Sequence, residues 1–175
     1  MKIVILKGSP RQGGNSNSLA DQFAKGAAEA GHEIVAFDCT KHKVGGCRAC
    51  NACGMNGPCV QQDDFTPLRE QLLEAEAIVL ATPIYYFGVS AQLKTVIDRF
   101  YSINSVIGGK TSVFIATMGN PDIHVGDPAK MMYDKMVTYL GWKDCGQLIV
   151  PGVWAAGDIK RTGYGQRAYE LGRNL

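Results

Sequence analysis

Short apolar segments alternate with amphipathic ones along the whole chain. Compact, β-branched apolar runs predict buried strands at 3–6, 33–37, 78–81, 112–116 and 148–150. Between and after them, apolar residues at helical spacing predict helices that start near positions 19, 65, 93, 132 and 165. This repeated β–α order predicts an α/β fold: a five-stranded, parallel, doubly wound sheet with helices on both faces, a three-layer sandwich.

The predicted topology also indicates where a ligand would bind. In doubly wound sheets, ligands lie beyond the carboxyl ends of the strands. The segments that follow the first four predicted strands are 8–17, 39–63, 82–90 and 117–128. We therefore expect the functional residues to come from these four loops.

The first loop is rich in glycine, hydroxyl and amide residues, with the sequence Gly8-Ser-Pro-Arg-Gln-Gly-Gly-Asn-Ser-Asn-Ser18. It lacks the lysine of a Walker A loop and the G-x-G-x-x-G spacing of a dinucleotide fold. Free backbone N–H groups at a helix N-terminus favour phosphate binding. The alternative is an ordinary turn with a Ser or Asn helix cap.

The third loop carries three consecutive aromatic residues, Tyr85-Tyr86-Phe87, between Pro83 and Gly88. A strand of the core would alternate apolar and polar positions, and a surface loop would be polar. The loop is therefore suited to hold a flat ring. The alternative is that these side chains close the end of the core or contact a second subunit.

Composition excludes several functional classes. The 175 residues suit one domain, and 46% hydrophobic with 19% charged residues argues against disorder. A net charge of +2 is too small to predict nucleic-acid binding. No apolar run is long enough for a membrane span, and the N-terminus has no secretion signal, so a cytoplasmic protein is expected.

Four of the six cysteines are crowded into one short segment as C-x2-C-x2-C-x5-C. In a cytoplasmic protein such a cluster predicts metal or redox chemistry before structural disulfides. The spacing favours an iron–sulfur cluster, while zinc, or no metal with reduced or disulfide-forming thiols, stays open. The proposed ligands are Cys47, Cys50, Cys53 and Cys59, whereas Cys39 and Cys145 are expected to be ordinary buried thiols.

Several motifs together resemble the flavodoxin-like NAD(P)H-dependent FMN reductase family, and most closely its iron–sulfur flavoprotein branch. They are Gly8-Ser-Pro-Arg11, Gly14-Asn-Ser16, Thr82-Pro-Ile-Tyr85, Ser90-Ala-Gln-Leu-Lys94 and Ile97-Asp-Arg99. The resemblance spans nearly the whole chain. It implies a flavodoxin-like FMN-binding domain over 1–175, with the cysteine-rich loop 39–63 as an insertion.

The resemblance also implies which residues hold FMN. For the phosphate they are Ser9, Arg11, Asn15, Ser16 and Asn17. For the isoalloxazine ring they are Pro83, Ile84, Tyr85, Tyr86, Phe87 and Gly88, completed by Thr117, Met118, Gly119 and Asn120. The last segment has one glycine where relatives often carry more. No side chain is expected to act as a catalytic acid or base.

The expected function is an FMN-dependent oxidoreductase that passes hydride from NAD(P)H through FMN to a small acceptor such as a flavin, quinone, nitro or azo compound. The alternative is an electron carrier with FMN and a [4Fe-4S] cluster that serves a redox partner protein. A cysteine-based sensor without enzymatic activity is a third hypothesis. The resemblance further implies a homodimer or homotetramer.

Overall fold

A computed structural model describes residues 1–175. Its strands are β1 (Lys2–Lys7), β2 (Glu33–Asp38), β3 (Ala77–Tyr85), β4 (Gly88–Val89), β5 (Thr111–Thr117) and β6 (Lys143–Val150). Its α-helices are α1 (Asn15–Glu29), α2 (Phe65–Glu74), α3 (Ala91–Arg99), α4 (Asp127–Leu140) and α5 (Tyr164–Arg173). Five strands form a parallel sheet in the order β2-β1-β3-β5-β6, which confirms the predicted doubly wound α/β fold.

The segment predicted as the aromatic loop is more regular than expected. β3 continues to Tyr85 because Thr82 and Pro83 still pair with β5. The chain then reverses, and the two-residue strand β4 pairs with the end of β3 in antiparallel orientation, with Tyr85 opposite Gly88. The five-stranded parallel sheet therefore carries a small hairpin at its carboxyl edge.

The two faces of the sheet bury separate hydrophobic cores, because successive side chains of a strand point to opposite faces. Val4 and Leu6 of β1 pack with α2, α3 and α4, whereas Ile3 and Ile5 pack with α1 and α5. No helix is both long enough and apolar enough to cross a bilayer.

Helices α1 and α5 cross with backbones almost in contact. A Cβ atom on Gly26 would lie 2.0 Å from the carbonyl oxygen of Tyr169, and one on Gly172 would lie 2.1 Å from that of Phe23. Only glycine allows this approach, and it places α5, with the segment that leads into it, against α1.

Candidate functional site

Three of the predicted loops meet in one cleft at the carboxyl edge of the sheet. They follow β1, β3 and β5, which are neighbours in the sheet and run in the same direction. From the predicted residues, the cleft is lined by Ser9, Arg11, Asn15, Pro83, Ile84, Tyr85, Thr117, Met118 and Gly119. Strand order therefore brings together positions that are more than 100 residues apart in the chain.

The first loop leads into α1 and leaves polar groups without partners. Gly14 is the N-cap residue, no side chain caps the helix, and the first turn carries no acidic residue. Ser16 is 1% exposed, and its hydroxyl has no hydrogen-bond partner. Because burying an unpaired hydroxyl is costly, this atom indicates a polar ligand at the helix N-terminus, where the dipole favours an anion.

Close packing determines the shape of this loop. A Cβ atom on Gly14 would lie 2.2 Å from the hydroxyl of Ser9, so a larger residue would displace that group. The side chain of Asn17 accepts a hydrogen bond from the N–H of Ser9 and donates one to its carbonyl, each at 3.3 Å. Asn17 therefore shapes the loop, and its side chain lies outside the cleft lining.

Both polar atoms of the Asn15 side chain make hydrogen bonds within the protein. Its Nδ2 donates to the carbonyls of Val153 at 3.4 Å and Ala155 at 2.9 Å. Its Oδ1 accepts from the N–H groups of Gly157 at 3.1 Å and Ile159 at 3.2 Å. The amide thus ties the first loop to the segment after β6 and has no group left for a ligand.

The cleft as a whole is small, about 140 Å³, compared with about 300–1,000 Å³ for pockets that hold drug-sized ligands. A drug-sized ligand would therefore extend past the rim of the cleft. Tyr86 and Phe87 lie at this rim, exposed, in the turn between β3 and β4. Gly88 in β4 and Asn120 also lie outside the lining of the cleft.

The turn at the rim holds its aromatic residues in a rare conformation. Tyr86 has φ 46° and Phe87 has φ 67°. Two consecutive residues with positive φ form the type of hairpin turn that usually contains Asn-Gly. Bulky residues there are strained by about 1–3 kcal/mol each, which is characteristic of functional sites.

Sequence reasoning missed one wall of the cleft. Val153, Trp154 and Ala156 line it from the segment after β6. The missed signal was an exposed tryptophan in a short Gly- and Ala-rich stretch after the carboxyl end of a parallel strand, the position where ligands bind in such folds.

The four cysteines of the second loop line a separate pocket of about 20 Å³, together with Arg99 and Tyr101. All four thiols are free, with Cys47 and Cys50 exposed. In this arrangement no three Cys, His, Asp or Glu side chains form a group that could hold a metal ion. The residues as placed do not fit a [4Fe-4S] cluster, so we derive no step through one, and the metal-ligand assignment stays a prediction.

Arg99 clamps both ends of the cysteine loop. Its guanidinium, 1% exposed, donates to the carbonyl of Gly45 at 2.8 Å and to the Asp63 carboxylate at 2.7 Å, and it stacks on the ring of Phe65. Partial burial acts to raise the pKa of Asp63, but hydrogen bonds from Arg99 and from backbone N–H groups outweigh it and lower that pKa below its usual value.

The remaining two cysteines lie apart from this pocket. Cys39 is buried, as expected, and Cys145 on β6 is half-buried. Burial, with the nearby charge of Asp38, raises the pKa of the Cys39 thiol to about 12.

The sequence matches the family model for NADPH-dependent FMN reductases over residues 1–141. The chain belongs to the NADPH-dependent FMN reductase family. Membership confirms the predicted class of protein: an oxidoreductase that uses FMN as cofactor, NAD(P)H as reductant and a small molecule as acceptor.

Individual relatives of this FMN reductase family member are also named as flavin-containing proteins. An iron–sulfur flavoprotein of Archaeoglobus fulgidus is 32% identical over 167 residues, which covers 93% of this chain and 76% of the relative. A Bacillus subtilis protein, provisionally named an NAD(P)H-dependent FMN-containing oxidoreductase, is 30% identical over 177 residues, covering 92% and 90%. Other iron–sulfur flavoproteins are matched over about half to two thirds of their length.

The fold of this family member is also found in solved structures. An NAD(P)H:quinone oxidoreductase from Methanothermobacter marburgensis superposes with a TM-score of 0.80 at 21% identity, covering 100% of this chain and 98% of the other. At that identity the similarity shows the fold alone.

Proposed function

We propose that the cleft binds FMN, with the phosphate at the N-terminus of α1 and the ring between the segments after β3 and β5. One observation carries this proposal: three segments distant in sequence, one suited to phosphate and one to a flat ring, line a single cleft. The buried, unpartnered hydroxyl of Ser16 supports it further, since Ser16 follows the cleft residue Asn15 in the first turn of α1, although Ser16 itself lies outside the cleft lining.

For the phosphate, we assign direct contacts to the hydroxyls of Ser9 and Ser16, the guanidinium of Arg11 and the free N–H groups of the first turn of α1. These groups are the donors that a phosphate dianion requires. Asn15 and Asn17 have supporting roles, because their side chains hold the loop and the segment behind it in place.

For the ring, we assign the walls to Pro83, Ile84, Tyr85, Thr117, Met118 and Gly119, and the rim to Tyr86, Phe87, Gly88 and Asn120. When bound, FMN supplies the capacity to accept and release a hydride. The residues of this chain orient the ring and exclude water from the face against the sheet. The exposed aromatic rim favours planar molecules, which suits a nicotinamide and then a flavin, quinone, nitro or azo acceptor.

Anaerobic mixing of the FMN-loaded protein with NADH or NADPH tests this function. We expect uptake of one FMN per chain and loss of the flavin absorbance with at least one nucleotide, followed by its return when a quinone is added. Absence of FMN uptake, or flavin absorbance that neither nucleotide changes, would contradict the proposal.

We propose a second function on one observation: the four cysteines line a single pocket, although as placed they form no group that could hold a metal ion. It is an iron–sulfur flavoprotein that carries electrons to a partner protein. Anaerobic purification with iron, sulfide and flavin assays tests it. Iron and sulfide in stoichiometric amounts, with no reduction of the flavin by either nucleotide, would support the carrier over the reductase.

We further propose that residues 1–175 act as one FMN-binding domain with 39–63 as an insertion, and that it assembles as a homodimer or homotetramer. The exposed aromatic rim supports assembly, because a second subunit could cover it. We also propose a cytoplasmic location, where a reducing environment keeps a crowded set of cysteines as thiols. Sedimentation of the FMN-loaded protein tests the assembly state.

A further inference from the structure

Trp154 stands out among the aromatic residues because it is exposed although its backbone is held firmly. Its side chain is 75% exposed and lines the cleft from the segment after β6. Tyr139, comparably exposed at 71%, lies outside the cleft lining, on α4.

The backbone on either side of Trp154 is tied down by three polar side chains. Asp158 accepts hydrogen bonds from the N–H groups of Trp154 at 3.0 Å and Ala155 at 2.7 Å. Arg11 donates to the carbonyl of Trp154 at 2.6 Å, and Asn15 bonds to residues on both sides of it. The indole is therefore presented from a fixed backbone, which lowers the conformational entropy lost when a ligand binds it.

The indole packs on Gly119 at the carboxyl end of β5. A Cβ atom on Gly119 would lie 2.3 Å from Cε3 and 3.1 Å from Cζ3 of Trp154. The single glycine of this segment thus makes room for the benzo ring of the indole. One side of the indole is supported by backbone, while most of the side chain remains open to solvent.

We propose that Trp154 is a ring-binding residue of the flavin cleft, where its open surface packs against the isoalloxazine of FMN. The inference rests on the proposed FMN site and adds to it a wall contributed by the segment after β6. The cleft lining supports it, because Trp154 lines the same cleft as Pro83 and Gly119, two of the residues assigned to the ring. Covering a large exposed aromatic surface by a second aromatic ring is favourable.

Tryptophan fluorescence tests the contact in the protein as it stands. The chain has two tryptophans, and Trp142 is 6% exposed with its Nε1 bonded to the carbonyl of Ile107. Apoprotein should show an exposed, long-wavelength emission that FMN quenches, and W154F should lack that component while retaining the buried emission of Trp142.

Affinities provide the second readout. We expect W154A to bind FMN about tenfold more weakly, a change of about 1.4 kcal/mol, and W154F to stay within about twofold of the unchanged protein because a ring remains. G119A should weaken FMN binding in the same direction as W154A, because its Cβ displaces the indole. Y139A is the matched control and should leave the affinity unchanged.

Equal FMN affinity in W154A and the unchanged protein, with no quenching of the exposed emission, would overturn the inference while the FMN site stands. Failure of the proposed function has a different signature: the unchanged protein itself would not take up FMN. If W154A does not fold, W154L, which removes the aromatic ring but keeps an apolar side chain, should show the same loss of FMN affinity, and an unchanged affinity of W154L would overturn the inference.

Discussion

The guanidinium of Arg99 contacts the carboxylate of Asp63 through two nitrogen–oxygen pairs, Nη1 to Oδ2 at 2.7 Å and Nη2 to Oδ1 at 3.2 Å. The same guanidinium reaches the carbonyl of Gly45, before the first loop cysteine, while Asp63 follows the last. One residue of α3 thus closes the cysteine loop at its base.

Replacing Arg99 should release this loop. R99Q leaves the Asp63 carboxylate without its cation, and breaking a buried ion pair costs about 3–5 kcal/mol. We expect a lower unfolding midpoint and faster proteolysis within residues 45–63, measured by urea titration and limited digestion. K94Q, which breaks the exposed pair with Asp98, is the control and should change stability by less than about 0.5 kcal/mol. Equal effects of R99Q and K94Q would contradict the clamp.

The stability provided by Asp63 should be lost in acid. Its pKa in the folded protein lies below the ordinary value of 3.8, so its contribution is present above that value and disappears as pH falls through the lower folded pKa. The difference in urea midpoint between the unchanged protein and D63N, measured from pH 7 to pH 3, should narrow once the pH falls below 3.8. A difference that stays constant over this range would contradict the assignment, and other acid-sensitive carboxylates cancel in the comparison.

Asn15 should matter for both stability and FMN affinity. In N15D the carboxylate still accepts from Gly157 and Ile159 but faces the carbonyls of Val153 and Ala155 without a donor. Loss of buried hydrogen bonds costs about 1–3 kcal/mol, and the segment carrying Trp154 loses its anchor. Thermal melting and FMN titration measure the two effects.

The control for N15D is N104A, which removes an exposed amide bond to the Tyr139 hydroxyl and should leave both quantities nearly unchanged. If N15D bound FMN normally despite a lower melting temperature, Asn15 would be structural only.

Replacing the two strained residues of the turn between β3 and β4 should raise stability and lower activity. The double variant Y86N/F87G places at positive φ the two residues that this turn type favours. Relief of strain at both residues should raise the free energy of unfolding by about 2–6 kcal/mol, while turnover of quinone acceptors falls because the aromatic rim is gone. Urea unfolding and steady-state kinetics test both parts. V106N, at an exposed position outside the cleft, is the control, and an unchanged or lower stability of the double variant would refute the strain.

The exposed and the buried cysteines should differ in their rate of thiol labelling. Burial and the charge of Asp38 raise the pKa of the Cys39 thiol to about 12, and the thiolate is the reactive form. Iodoacetamide at pH 8, followed by peptide mass spectrometry, should modify the exposed Cys47 and Cys50 first and Cys39 only after unfolding in urea. Native labelling of Cys39 at the rate of Cys47 would contradict its placement.

The resemblance to FMN reductases was carried by loops whose chemistry is local. A Gly-, Ser- and Asn-rich segment between a strand and a helix can bind phosphate whatever surrounds it, and it was recognised from residues 8–18 alone. The role of each residue in that loop does not follow from the local sequence. The resemblance implies that Asn15 binds the phosphate, whereas the structure directs its side chain to a segment about 140 residues away.

The sequence by itself determined the order of strands and helices, the parallel sheet and three of the segments that line the cleft, because apolar periodicity is local and parallel strands end at one edge. Only the tertiary structure decided the rest. The wall formed by Trp154, the clamp of Arg99 on Asp63 and the hairpin at Tyr85 all depend on contacts between elements. Such contacts follow from packing in three dimensions, and the local sequence shows at most a tryptophan after the last predicted strand, without the contacts that it makes.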